Sequence, residues 1–186
     1  MSDAIVSLID ELEELRKTRD DHWQIPRAEG EMLHHIALTS HARTIVEVGT
    51  SYGFSGLFWS RALKQTGGHL HTIDRDPKKF ESSKQTFQRA GVSDVVTNYL
   101  GDAQGILATM PSGIDIAFID ADKPATQAYL DLIWPKIRVG GSIIIDNATT
   151  HKKELADVVS ALRSRPDARS TEVAVGNGIE WVIKIG

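Results

Sequence analysis

The sequence predicts an α/β domain in which a mostly parallel sheet carries helices on both faces. Three observations lead there. Short β-rich runs alternate with helical segments from Thr44 onward, the helical segments carry capping and breaking residues at their ends, and the rhythm breaks once, near Gly176-Asn177-Gly178. Strands that alternate with helices imply right-handed crossovers, which lay the strands parallel and cover both faces of the sheet.

Taken in order, Ile5, Leu8, Ile9, Leu12 and Leu15 are spaced as the apolar stripe of an amphipathic helix with acidic residues opposite. That stripe needs a partner, either the domain's own core or a second subunit, and a homodimer is expected on this ground. A linker, TRDDHWQIP, leads to a second helix with Met32, Leu33, Ile36 and Ala37 on one side. Residues 1–40 are thus expected to cover a ligand site or to form a dimer contact. TIVEV, HLHTI, VVTNYL, IDIAFI and SIIID follow as strands. The helix after the second strand has Asp76 as N-cap, Pro77 at its first position, Phe80 and Phe87 inward and Gly91 past its end. Pro135 ends the helix of Tyr129, Leu130 and Ile133, because it has no N–H and crowds the preceding turn. STEVAV and IEWVIKI, joined by the glycine turn, predict an antiparallel hairpin at one side of the sheet.

At 186 residues and 41% hydrophobic composition the chain is expected to form one domain over residues 1–186. Lysine and arginine number 21 against 25 acids, and they are scattered, which argues against a nucleic-acid groove. Cysteine is absent, so disulfides, thiolate nucleophiles and cysteine-ligated zinc are excluded. The start, MSDAIVSLIDELEELRK, lacks the basic residues and continuous apolar run of a signal peptide, and no run of about 18 apolar residues offers a membrane span. A cytoplasmic protein with no membrane partner is expected.

Strand TIVEV runs into a turn that reads E-x-G-x-x-x-G from Glu47 to Gly53, and then into a helix. In a doubly wound sheet, ligands lie beyond the carboxyl ends of the strands near the point where strand order reverses. Gly49, Ser51 and Gly53 therefore face a ligand. Gly49 lets the backbone approach it, and the amides opening the helix, with Ser55, can receive an anionic group. Asp74, ending the next strand, can accept both hydroxyls of a ribose. These features describe a nucleoside-type cofactor. Dinucleotide sites prefer G-x-G-x-x-G, yet Ser51 and Phe54 stand where that pattern wants its second and third glycines. The wider spacing headed by an acid suits S-adenosylmethionine, whose amino-acid end carries an ammonium as well as a carboxylate.

Strand IDIAFI ends at Asp120 and strand SIII at Asp146-Asn147. As neighbours in the sheet they bring two carboxylates and an amide oxygen to one edge, a hard donor set suited to magnesium, manganese or calcium. The residues alone equally admit a plainer use, in which the two acids cap helices or bind the cofactor.

With these motifs in view, the chain resembles the metal-dependent O-methyltransferases that include catechol and caffeoyl-CoA O-methyltransferases, in style nearest their compact bacterial members. The resemblance runs from about Trp23 onward. It is carried by IVEVGTSYGFSG, HTIDRDP, GDAQGIL, FIDADK and IIIDNA, of which FIDADK with the later Asp-Asn pair is the most specific. It implies a Rossmann-like class I methyltransferase fold with a seven-stranded sheet. It implies that Asp120, Asp146 and Asn147 ligate Mg²⁺ or another divalent cation such as Mn²⁺ or Ca²⁺, and that Lys123 is the general base. It further implies that Glu47, Gly49, Ser55, Asp74, Asp102, Ala103, Gln104 and Asp120 line the S-adenosylmethionine site, with Ile25 and Gly30 closing over its methionine end. The implied reaction is methyl transfer to a hydroxyl of a small, catechol-like aromatic, whose adjacent oxygens can chelate the ion.

The pattern also departs from the family. After Asp146-Asn147 the sequence ATTHKKELADVV enters a helix almost at once, where acyl-CoA-using members typically carry a longer insertion, and no residue of this sequence can be assigned as the second substrate-side acid of the catechol enzymes. Trp23 can supply an aromatic wall. His151 is expected to be a solvated residue at a helix start, His34, His35, His41, His69 and His71 to be structural, and Trp59, Trp134 and Trp181 to be packing residues. Asp122 is expected to meet solvent or to position Lys123. Two other classes compete: a nicotinamide-dependent oxidoreductase, which the spacing and the missing Tyr-x-x-x-Lys pair disfavour, and a non-catalytic nucleoside-binding protein, which the retained Lys123 and ligand set disfavour.

Overall fold

The structure, a computed structural model, describes residues 2–18, 21 and 23–186. Arg19, Asp20 and His22 of the linker lie outside the described residues. In chain order the elements are α1 (Ser2–Arg16), α2 (Arg27–Thr39), β1 (Thr44–Val48), α3 (Phe54–Thr66), β2 (His69–Asp74), α4 (Pro77–Arg89), β3 (Val96–Leu100), α5 (Ala103–Thr109), β4 (Ile114–Ile119), α6 (Thr126–Ile133), β5 (Ile137–Asp146), α7 (Ala156–Arg163), β6 (Ala168–Val173) and β7 (Ile179–Lys184). The strands form one sheet in the order β3-β2-β1-β4-β5-β7-β6. β3 to β5 pair in parallel, while β7 is antiparallel to both β5 and β6.

Strand side chains alternate between faces, and the alternation sorts the core into two layers. Ile45, Leu70, Ile116, Phe118 and Ile144 meet α1 to α4 on one face. Val46, Val48, Ala117, Ile119, Ile143 and Ile145 meet α5 to α7 on the other. By the same parity Glu47, Asp74 and Asp146 fall on the face of α1 to α4. Strand order reverses between β1 and β4, and the acids stand on either side of that point.

The local signals behave as expected at α4, where the Asp76 side chain accepts from the Lys78 and Lys79 amides, Pro77 opens the helix and Gly91 follows it at φ 66°. Pro135 ends α6 in a short 3₁₀ turn. Of the two partners open to the α1 stripe, the structure shows the domain's own core: Ile5, Leu8, Ile9 and Leu12 are buried in the cluster shared with α3 and α4. Two readings are corrected. β5 is longer than SIIID, because a register shift against β4 absorbs Gly140 and Gly141 and extends the strand back to Ile137. The hairpin has a five-residue connection, 174–178, and its second strand lies inside the sheet, between β5 and β6.

If α1 is part of the core, Ile9→Ala costs about 2–5 kcal/mol, read as a lowered urea midpoint at unchanged slope. An unaltered midpoint would place α1 outside the cooperative unit.

Candidate active site

The glycine turn is held from both sides. The Gly49 amide donates to the Ile73 carbonyl (2.9 Å) and the Asp120 amide to the Val48 carbonyl (2.9 Å), which ties the end of β1 to those of β2 and β4. Gly49 has φ 105°, and a Cβ there would collide with the Asp120 carbonyl oxygen. The absent side chain thus admits the end of β4, an approach within the protein that the expectation of a ligand contact did not include. Gly53, at φ 86°, turns the chain into α3 with no side-chain cap, leaving the first amides of that helix open to an anion.

Asp74 clasps this turn. Its Oδ2 accepts the Ser51 amide (2.8 Å) and its Oδ1 the Asp76 amide (2.9 Å). Two carboxylate oxygens offer about four acceptor positions, so the clasp leaves capacity for ligand hydroxyls. Asp102 has a similar double position, capping α5 through the Gly105 amide (3.0 Å) while lining the cleft.

Glu47 lies beneath the turn, fully buried. The Thr72 hydroxyl donates to its Oε2 (2.6 Å) and stands 2.6 Å from the Thr50 hydroxyl, while Oε1 has no hydrogen-bonded partner. Burial pushes this carboxyl up to about 7, against the pull of the nearby Ser55, Thr72 and Trp59 groups. An ammonium delivered to Oε1 satisfies the orphan oxygen and compensates the charge, which fits the amino end of S-adenosylmethionine.

Above the turn lies a cleft of about 480 Å³, within the range of small-molecule sites. Gly49, Ser51, Asp74, Asp102, Ala103, Asp120, Lys123 and Asn147 line it. Of the other expected site residues, Glu47 and Ser55 are buried below it, and Gly53 forms the helix start. Ile25 and Gly30 pack in the core, Gly30 directly on the Phe58 ring, and Gln104 is exposed at the start of α5; none of these three borders the cleft. Trp23 does, with the Lys79 ammonium 5.0 Å from its ring centre. Asp122 lines it too, and so do Tyr129, Arg75 and Lys79, which were not legible as site residues. His151 also lines the cleft, because residues 147–155 form turns and α7 begins only at Ala156; the expected immediate helix entry is delayed. The remaining histidines are structural where contacts are seen: His34 meets the Phe58 carbonyl, His69 the Thr97 hydroxyl and His71 the Tyr99 hydroxyl.

At the β4–β5 edge, Lys123 Nζ donates to Asp120 Oδ1 at 3.3 Å. Asp146 is buried, not at the cleft wall, and its Oδ1 has no hydrogen-bonded partner. Burial and then the Asp120 charge raise its pKa, while the Asn147 amide, a side-chain hydrogen bond with Glu29 and the Lys123 charge lower it. Asn147 lies in the left-handed region at φ 67°, a conformation asparagine tolerates better than most residues. Against this edge sits a residue that the motifs did not reveal, Glu29 of α2, fully buried with both oxygens unpartnered. Among the described residues no three His, Cys, Asp or Glu side chains form a group that could hold a metal ion by themselves. The donors of the expected set are two carboxylates and an amide, and the orphaned Asp146 Oδ1 together with this all-oxygen chemistry fits a hard divalent ion.

The Glu47 shift gives a stability test. Between its ordinary 4.5 and about 7 the folded chain holds a proton that the unfolded chain has released, so ligand-free stability falls as pH rises through that window, by on the order of 3 kcal/mol from this group. Urea titrations at pH 5 and pH 8 should show that decline, with Glu29 and Asp146 adding in the same direction. Glu47→Gln should remove its share; an unchanged decline would place the proton elsewhere.

The comparisons agree with this geometry. A family model described as a methyltransferase domain matches residues 46–148. The chain is 34% identical over 155 residues to a catechol O-methyltransferase of Mycobacterium tuberculosis, covering 77% of this chain and 70% of that protein. It is 29% identical over 164 residues to a caffeoyl-CoA O-methyltransferase of Populus kitakamiensis, covering 81% and 69%. The chain spans about two thirds of the length of the curated relatives it matches. Among solved structures, the O-methyltransferase TomG of Streptomyces achromogenes, in complex with SAM, superposes with a TM-score of 0.83 at 25% identity, covering 99% of this chain and 90% of that one. The glycine turn with its buried acid, the sheet order and these likenesses agree, and the chain belongs to the class I S-adenosylmethionine-dependent O-methyltransferases related to the catechol and caffeoyl-CoA enzymes.

Proposed function

We propose that the chain transfers the methyl group of S-adenosylmethionine to one hydroxyl of a small, catechol-like aromatic, with a divalent cation held by Asp120, Asp146 and Asn147 and with Lys123 as the general base. The observation that carries this reading is the meeting of the β4–β5 acidic edge, Lys123 included, with the cleft over the glycine turn. Glu47 Oε1 takes the ammonium of the methyl donor, Asp74 its ribose hydroxyls, and the opening amides of α3 its carboxylate. A bound divalent ion supplies a Lewis acid that favours the ionised form of a coordinated hydroxyl.

Lys123 Nζ accepts the proton of the acceptor hydroxyl. The oxygen then bonds to the methyl carbon as the carbon–sulfur bond breaks, and the electron pair of that bond stays on sulfur as the neutral thioether. The charges balance without a further reactant: the sulfonium charge is lost and the lysine becomes charged. Asp120 Oδ1, which accepts from Lys123 Nζ in the structure, is also among the donors that would hold the ion; a cation there would disfavour the ammonium form of Lys123 and so favour the neutral amine that this proton transfer needs. Trp23 and Tyr129 offer aromatic walls for a planar acceptor. Holding donor and acceptor in line is the larger part of the rate enhancement in such a transfer. Family membership removes the oxidoreductase alternative.

A methyl-transfer assay over catechols, flavonoids and matched monophenols tests the proposal. Vicinal diols should be the better acceptors. EDTA and Asp146→Ala should each lower activity at least 100-fold, with Mg²⁺ restoring only the first. Lys123→Ala should lower kcat about 10²–10⁴-fold. Activity that survives both EDTA and Asp146→Ala removes the metal mechanism and leaves the methyltransferase assignment standing.

A further inference from the structure

Glu29 is the third residue of α2, and the geometry around it lacks a component. Its side chain is 0% exposed, and neither carboxyl oxygen has a hydrogen-bonded partner. After burial itself, the strongest influences on it are the Asp146 carboxyl, through its charge and a side-chain hydrogen bond, the Asp120 charge and the Asn177 backbone amide, and no basic side chain is among them. Arg27, two residues earlier, is engaged by Asp10 and Glu13. On its far side Gly176 of the β6–β7 connection packs so closely that a Cβ there would collide with Glu29 Oε2. Across from it Asp146, 1% exposed, carries its own orphan oxygen. Two enclosed carboxyls with no basic side chain beside them are joined only by a proton shared between them, which leaves their remaining oxygens without a partner and open to a cation.

We propose that Glu29 is a cation-binding residue, which joins Asp146 in holding the divalent ion and fastens α2 and the 174–178 connection to the β4–β5 edge. The inference rests on the metal reading above and adds to it a carboxylate from outside the two strand ends. Among the described residues no three carboxyls form a group that could hold the ion by themselves; what the structure brings together is the Glu29–Asp146 pair, and the ion would supply that pair's counter-charge. A substrate ammonium is a poorer occupant. The space is walled by α2, β5 and the hairpin connection, the donors are all oxygen, and the amino end of the methyl donor already has Glu47.

The test is isothermal titration of the full chain, saturated with S-adenosylhomocysteine, with Mg²⁺ alone, accompanied by the Mg²⁺-induced shift in melting temperature. Wild type should bind, and Asp146→Asn should abolish binding. Glu29→Gln should weaken it at least tenfold, about 1.4 kcal/mol, and lose the thermal shift. Glu31→Gln, on the same helix but paired with Arg61, should stay within about twofold, which separates contact from a general loss of charge. If Glu29→Gln does not fold, Glu29→Asp, which withdraws the carboxylate by one methylene, should show the same loss to a lesser degree. Equal Mg²⁺ affinity in wild type and the Glu29 variant overturns the inference and leaves the metal reading intact. Absence of Mg²⁺ binding in wild type overturns both.

Discussion

The site depends on a crowding of backbone at one point. The carbonyl of Asp120 occupies the space where Gly49 would carry a side chain, and hydrogen bonds on each side hold β1 to β2 and to β4 at that level. Sheet order reverses there, so the ends of β1 and β4 would otherwise diverge into the helices that follow them. Drawing them together puts the clasp of Asp74 on the Ser51 amide within one cleft of Asp120 and Lys123. The residue that permits this approach is one without a side chain.

A second constraint is electrostatic. Glu47, Asp146 and Glu29 are all removed from solvent on the face covered by α1 to α4, and burial raises the pKa of each. A fold that needed only stability would place apolar residues at these positions, since desolvating carboxyls without counter-charges opposes folding. Their cost is offset by the apolar layers above and below, among them the α1 stripe that packs on α3 and α4. The N-terminal helices therefore have a structural task in the same core that holds the acids.

The fold was legible because its signals are local and repeated. Alternation of strands and helices, the Asp76-Pro77 cap, Gly91 and Pro135 each act within a few residues of their own position. The glycine turn and the two acid-bearing strand ends were legible for a related reason: a strand delivers its last residues to one edge of the sheet, so sequence position translates into place. Glu29 was not, because an acid in the first turn of a helix is common, and only the packing of α2 on the sheet shows where it goes. Nor were Tyr129 and His151, whose approach to the cleft depends on how α6 and the 147–155 turns return across the strand ends. The α1 stripe was read correctly as apolar, but its partner was undetermined, since spacing says that a face must be covered and not by what.

The position of β7 has a consequence for how the chain acquires its fold. It follows β6 in sequence yet lies between β6 and β5, so β6 has no neighbour in the sheet until β7 inserts. Until then the outer margin of β5, the strand that ends at Asp146, stands open with its peptide groups unpaired, a state that invites pairing with other chains. A nascent polypeptide can thus pair β1 to β5 first, whereas the margin of the strand that carries Asp146 is covered only once residues 179–184 are available to pair.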